Sequence, residues 1–211
     1  ERFEDHRICF DKRPDSIFSD VRLRQAVAYA IDQHELIALT RGEMAVPARG
    51  RVPSFHPAYA EGANAYEVDL DKARELLVEA GYPDGFSTEI FAPAGYRERV
   101  QEVQQIQRQL AQIGIDVEVV TLEWGTYLDV TAEGEAPMFR ERWSAGVPEP
   151  ISFIESWHSE SSWNPIFGTY HNEEVDRLIE EIMRTVDSQE RWALYQEVQE
   201  IAMDEVVSYP L

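Results

Sequence analysis

Catalysis needs reactive side chains at workable spacings, and the histidines of this 211-residue chain do not provide them. His6, His34, His56, His158 and His171 form no His-x-x-x-His or His-Glu-x-x-His pair of the kind that places two imidazoles on one helix face around zinc. There is no Gly-x-Ser-x-Gly elbow and no Gly-x-x-x-x-Gly-Lys-Ser/Thr phosphate loop. Asp and Glu number 40, so carboxylate pairs can be drawn almost anywhere and none is informative. Glu173-Glu174 and Glu180-Glu181 are most simply solvated helix faces. Cys9 is the single cysteine, which rules out an intrachain disulfide and a cysteine zinc site and suits a buried, inert thiol. The expectation is a chain that binds, without catalysis and without a cofactor or metal.

The stretch with binding chemistry is Arg140-Glu141-Arg142-Trp143-Ser144-Ala145-Gly146-Val147-Pro148-Glu149-Pro150. It leaves a predicted strand and enters a turn marked by Gly and Pro, where a rigid frame can present side chains to a ligand. Trp143 offers a ring and one N–H donor, and it could equally fill a core. Arg140 could pair a solute carboxylate or stand exposed to balance an acidic surface. Ser144 and Gly146 continue the same turn. For Trp157, Trp163 and Tyr170 packing is the first expectation. Tyr170 ends the loop Ser161-Ser162-Trp163-Asn164-Pro165-Ile166-Phe167-Gly168-Thr169-Tyr170, a secondary candidate for the same site.

These residues need elements to hold them. Ile8-Cys9-Phe10 reads as an incoming strand. Leu23, Val27, Ala30 and Ile31 recur at helical spacing, with Asp20 or Ser19 to cap the first turn. Asp32 and Glu35 have the spacing of a capping box for a second helix, which Gly42 can stop. Residues 44–66 carry Pro47, Gly50, Pro53, Pro57 and Gly62 without a sustained period and read as a long loop. Asp69 caps a helix whose Leu70, Ala73, Leu76, Leu77 and Ala80 face inward, and Tyr82 to Phe86 is turn chemistry.

A strand over Ser87–Phe91, a helix over Arg97–Ile113 and a strand from Ile115 to Leu122 predict a right-handed βαβ crossover. Met138–Trp143 is a further strand in the same sheet. Glu173–Thr185 and Gln189–Asp204 read as helices capped by Asn172 and Ser188, and Ser208 begins a last strand. No repeat or low-complexity linker divides the chain, so residues 1–211 read as one domain.

Lys+Arg 19 against Asp+Glu 40 gives a net charge of −21, which excludes a nucleic-acid surface or an anionic membrane as partner. Lys12 and Lys72 are the only lysines, the other basic residues being arginine. Excess carboxylate with scarce lysine suits a high-salt environment, where screening suppresses self-repulsion. The longest apolar runs are too short to span a bilayer.

The wording of several segments resembles a known family. Ser19-Asp20-Val21-Arg22-Leu23-Arg24-Gln25-Ala26-Val27-Ala28-Tyr29-Ala30-Ile31-Asp32 is similar to the stretch that opens the second lobe of the dipeptide, oligopeptide and nickel binding proteins of ABC transporters. So are Leu76-Leu77-Val78-Glu79-Ala80-Gly81-Tyr82-Pro83-Asp84-Gly85-Phe86 and Leu122-Glu123-Trp124-Gly125-Thr126-Tyr127. The resemblance implies an α/β, periplasmic-binding-protein-like lobe with a mixed sheet flanked by helices. It implies the C-terminal, ligand-cleft lobe of a two-lobe protein, whose partners are a peptide or other small solute, the missing N-terminal lobe and the membrane permease of an ABC importer. It also implies an extracytoplasmic location and a lipid anchor in the full-length protein. A stand-alone interaction or sensory module reusing the lobe is the alternative.

In the family the turn reads Gly-Trp-x-Ala-Asp-Tyr-x-x-Pro over the interlobe cleft, and Trp143 and Pro150 match it at the same separation. Gly146 stands where an aspartate often pairs with a peptide amine, and Val147 where an aromatic follows. Some relatives carry a carboxylate-pairing arginine at the place of Arg140.

Overall fold

A computed structural model describes residues 4–42, 45–144 and 149–211. The strands are β1 (Glu4–Phe10), β2 (Phe86–Pro93), β3 (Ile115–Leu122), β4 (Met138–Ser144) and β5 (Ser208–Pro210). They form one sheet in the order β3-β2-β4-β1-β5. β2 runs parallel to β3 and β4, and β1 runs antiparallel to both β4 and β5, so the sheet is mixed as expected. The helices are α1 (Val21–Ala30), α2 (Gln33–Thr40), α3 (Leu70–Glu79), α4 (Arg97–Ala111), α5 (Trp124–Glu133), α6 (Ile151–Ile154), α7 (Glu173–Arg184) and α8 (Ser188–Asp204).

Alternation along the strands divides the core in two. Ile8, Phe10, Ile90, Ala92 and Met138 face the layer built from α1 to α4, where they meet Leu23, Val27, Leu76, Leu77, Val103, Ile106 and Leu110. Cys9, Phe91 and Phe139 face the other way, onto Tyr127 of α5, Ala136 and Phe167. Beyond them α6, α7 and α8 make a second packed layer around Phe153, Trp157, Val175, Leu178, Ile182, Tyr195 and Val198. Cys9 is fully buried, and burial pushes its thiol pKa up, in keeping with an inert role.

Local signals hold with instructive exceptions. Asp20 rather than Ser19 caps α1, its carboxylate accepting from the Arg22 amide at 2.9 Å. Asp32 accepts from the Glu35 amide at 3.0 Å, but the reciprocal half of the box is made by another helix: Gln109 of α4 accepts from the Asp32 amide at 3.2 Å and donates to Glu35 at 2.8 Å. A tertiary contact therefore completes a motif that sequence presents as local.

α8 begins one residue early because Asp187, not Ser188, accepts from the amides of Gln189 and Glu190. Arg24 sits within α1 but is nearly fully buried, closing the C-terminal end of α8 by donating to the carbonyls of Glu205 and Val206. The 45–69 segment has no regular element and is well packed. Arg51, Val52, Ala58, Ala60 and Tyr66 are buried, and the Tyr66 hydroxyl donates to the carbonyl of Met203 at 2.9 Å. At Gly85 (φ +78°) a Cβ would stand 1.8 Å from the Gly114 carbonyl oxygen, so the turn entering β2 and the turn entering β3 can touch only through glycine.

Candidate functional site

The sheet itself marks the place. After β2 the chain crosses over α4 to β3 on one side; after β4 it passes through α6, α7 and α8 to β5 on the other. Outgoing connections therefore diverge between β2 and β4, and open α/β sheets bind ligands in such a crevice beyond the strand ends. The ladder confirms an opening. β2 and β4 pair only at Ile90↔Met138 and Phe91↔Phe139, after which β2 continues to Pro93 and β4 to Ser144 without pairing to each other. Arg140 to Ser144 thus lie on the free part of β4, held from behind by β1 through Ile8↔Arg140, Asp5↔Trp143 and Glu4↔Ser144.

Trp143 is half-buried. Its ring meets Trp163 edge-on with centroids 5.1 Å apart and Phe167 at 5.8 Å. Its indole Nε1 is buried and has no hydrogen-bond partner among the described residues. The ring thus serves packing while the N–H is left over, so the two readings of Trp143 describe different atoms of one side chain. Trp163 is 41% exposed and continues the aromatic surface outward. Ser144 is exposed at the end of β4. Gly146 lies outside the described residues, as do Ala145, Val147 and Pro148.

Arg140 is fully buried, which corrects the expectation of an exposed, charge-balancing arginine. Its Nε donates to Glu102 of α4 at 2.5 Å, Nη1 to the Glu141 carbonyl and Nη2 to Nδ1 of His6. Arg41 donates both to Glu102 and to the same His6 nitrogen, each at 2.8 Å. His6 must therefore be neutral with its proton on Nε2, which faces Glu4 at 3.3 Å. Burial and the guanidiniums of Arg140 and Arg41 bring the His6 pKa down to about 2. Burial works against the Glu102 carboxylate, but Arg140 and Arg41 outweigh it and hold its pKa below the ordinary value. Nothing in the periodicity signals this cluster, because Glu102 and Arg140 come from different elements. The only cue is an acidic residue on the inward stripe of α4.

Tyr170 is 6% exposed, its hydroxyl donating to Glu205 at 2.7 Å and its amide to Asn164 at 3.0 Å. It belongs to the packing around α7 and α8, as does Trp157. Of the residues singled out in sequence, the fold brings Trp143, Ser144 and Arg140 to one strand end and sets Tyr170 into a core. The first turn of α4, with Arg99 beside Tyr96 and Trp124, also borders the crevice and carries no sequence signal. A surface depression of about 490 Å³ lies elsewhere, between residues 54–62 and Gln196 and Glu200 of α8.

Comparison with known proteins agrees with this fold. The family model described as bacterial extracellular solute-binding proteins, family 5 Middle, matches residues 4–165. A glutathione-binding protein GsiB from Salmonella choleraesuis is 35% identical over 202 residues, covering 92% of this chain. The chain spans about two fifths of the length of the curated relatives it matches, 39% in that case. Among solved structures, the periplasmic binding protein DppA from Helicobacter pylori, in complex with the peptide STSA, superposes with a TM-score of 0.90 at 30% identity, covering all of this chain and 42% of that one. HbpA2 from Haemophilus parasuis gives 0.92 at 27% identity, again over the whole chain and 42% of its own length.

Proposed function

Because the chain belongs to the bacterial extracellular solute-binding proteins, family 5, we propose that it is the ligand-cleft lobe of a binding protein serving an ABC importer. It forms a single domain that works by capture, not turnover. A first lobe of the same protein closes over a peptide or similar small solute, and the closed form is presented to the membrane permease. An extracytoplasmic location with a lipid anchor in the full-length protein is part of the proposal, on the family resemblance alone. The observation that carries the reading is the opened β2–β4 ladder with an unpartnered indole N–H at its rim. Trp143 and Ser144 are the wall residues we assign to the solute, with Gly146 in the following turn. Arg140 stiffens that wall from beneath, and Tyr170 supports the helical layer behind it.

One lobe leaves a solute hydrated on its open side, so affinity should need the second lobe. Calorimetry on the full-length protein and on this chain, with glutathione and short peptides as probes, tests this: the full-length protein binds and the isolated chain binds weakly or not at all. In the full-length protein Trp143→Phe, which keeps a ring against Trp163 and Phe167 but removes the N–H, should weaken binding while the melting temperature stays close to that of the parent. Full affinity in Trp143→Phe would remove the indole N–H from the solute's contacts. Equal affinities for chain and full-length protein would sink the half-site reading.

A further inference from the structure

In a chain with twice as many acids as bases, buried arginines should all find carboxylates or carbonyls. Arg7 and Arg51 share Asp5, Arg140 has Glu102, and Arg24 closes a helix end. Arg99 is the exception. It is 4% exposed, forms no ion pair among the described residues, and its Nη1 is buried without a hydrogen-bond partner. The guanidinium lies 4.3 Å from the centroid of the Tyr96 ring and 5.9 Å from that of Trp124, both rings being about two-fifths exposed. Stacking of this kind fixes the plane of the guanidinium and leaves its edge for a planar, bidentate acceptor.

The backbone reinforces the need for an anion. Arg99 is in the first turn of α4, a 15-residue helix whose N-cap, Tyr96, provides no side-chain acceptor. The Arg99 amide already bonds the Tyr96 carbonyl at 3.0 Å, and a cation in a first turn opposes the helix dipole. Glu98 of the same turn is exposed, and the Glu141 carboxylate accepts from the Arg142 amide at 2.6 Å. An incoming carboxylate would satisfy the guanidinium and the dipole together. The position fits, since this turn follows β2, one of the two strands between which the outgoing connections diverge.

We propose that Arg99 receives a carboxylate of the bound solute, and that Arg140, whose donors are held by Glu102, His6 and a main-chain carbonyl, does not. This rests on the reading of the chain as a solute-binding lobe, and it makes the solute an acid such as a peptide with a free carboxyl terminus.

The test uses the full-length protein incubated with a mixture of tripeptides carrying free carboxyl termini, or with the same mixture amidated, bound peptides being identified by mass spectrometry. Free acids should be retained and amides not. For a retained peptide, Arg99→Gln should weaken binding about 10–100-fold, the range for one hydrogen bond to a charged group, and Arg99→Lys should recover part of it with the melting temperature unchanged. Equal retention of both mixtures, or full affinity in Arg99→Gln, would overturn the proposal and leave the importer reading standing. Loss of affinity only in step with loss of folded protein would also overturn it, as a structural role. Retention of neither mixture would overturn both.

Discussion

Two carboxylates sit on opposite faces of the sheet, each between two arginines, and their surroundings differ. Glu102, from α4, holds Arg140 and Arg41, and His6 takes up the donors left over. Asp5, from β1, holds Arg7 and Arg51, with Arg51 also donating to Ser156 at 2.8 Å. Here Nε and Nη2 of Arg7 have no acceptor among the described residues, although Phe167 presents its ring face 4.6 Å away. Burial pulls the Arg7 guanidinium down, yet Asp5 beside it holds its pKa above the ordinary value. Burial, with Arg7 nearby, brings Arg51 down to about 10. The Glu102 cluster is closed and partly wet, since Arg41 keeps 24% of its side-chain surface exposed; the Asp5 cluster is dry, with both arginines at 2% or less. The first fastens a helix to the strand behind the crevice. The second fastens the long loop and the α6 region to the edge of the same strand pair.

That contrast sets the order of effects. Asp5→Asn leaves two fully buried guanidiniums facing one another and should cost the most, about 4–5 kcal/mol; Glu102→Gln, with Arg41 able to turn to water, should cost about 3 kcal/mol. Denaturant unfolding of the two variants measures both, and the reverse order would refute the distinction between dry and partly wet clusters.

Next in size is the pH dependence owed to His6. An unfolded histidine titrates near 6.5 and this one, folded, near 2. Below about pH 6.5 the unfolded chain therefore takes up a proton that the folded chain refuses. Stability should fall as pH drops through that interval, by up to about 1.4 kcal/mol per pH unit. His6→Asn keeps an acceptor for Arg140 and Arg41 without a titrating group, and should flatten this slope. An unchanged slope would assign the effect to other groups. No comparable histidine serves the Asp5 cluster.

The smallest effect per interaction concerns salt. Exposed pairs such as Arg177–Glu174 and Arg184–Glu180 contribute little and are screened, whereas the two buried clusters are not. With a net charge of −21, the melting temperature should climb from about 0.1 M to molar KCl as carboxylate repulsion is screened. The costs of Asp5→Asn and Glu102→Gln should stay constant over that range. Concentrated salt also strengthens burial generally, so a lysine-rich relative is the control. An equal rise in both proteins would remove the case for adaptation to high salt.

Periodicity and caps were enough to locate α1 to α4, α7, α8 and β2 to β4 to within a few residues, because those signals depend on neighbours three or four positions apart; α5 was not located. Leu23, Val27 and Ile31 mark α1, Asp69 and Asn172 start their helices, and Ile115, Val117 and Val119 alternate as β3 requires. Wording around Trp143 was likewise enough to single out the end of β4. Sequence had no means of showing where the sheet opens, since that depends on which strands become neighbours: β2 meets β4 across 47 residues through Ile90↔Met138 and Phe91↔Phe139. Nor could it tell an engaged arginine from a free one. Arg140 looked available and is saturated by Glu102 and His6, while Arg99, which nothing in the sequence singled out, is buried without an ion pair among the described residues. Desolvation and hydrogen-bond saturation are properties of assembled surfaces, and only the tertiary structure assigns them.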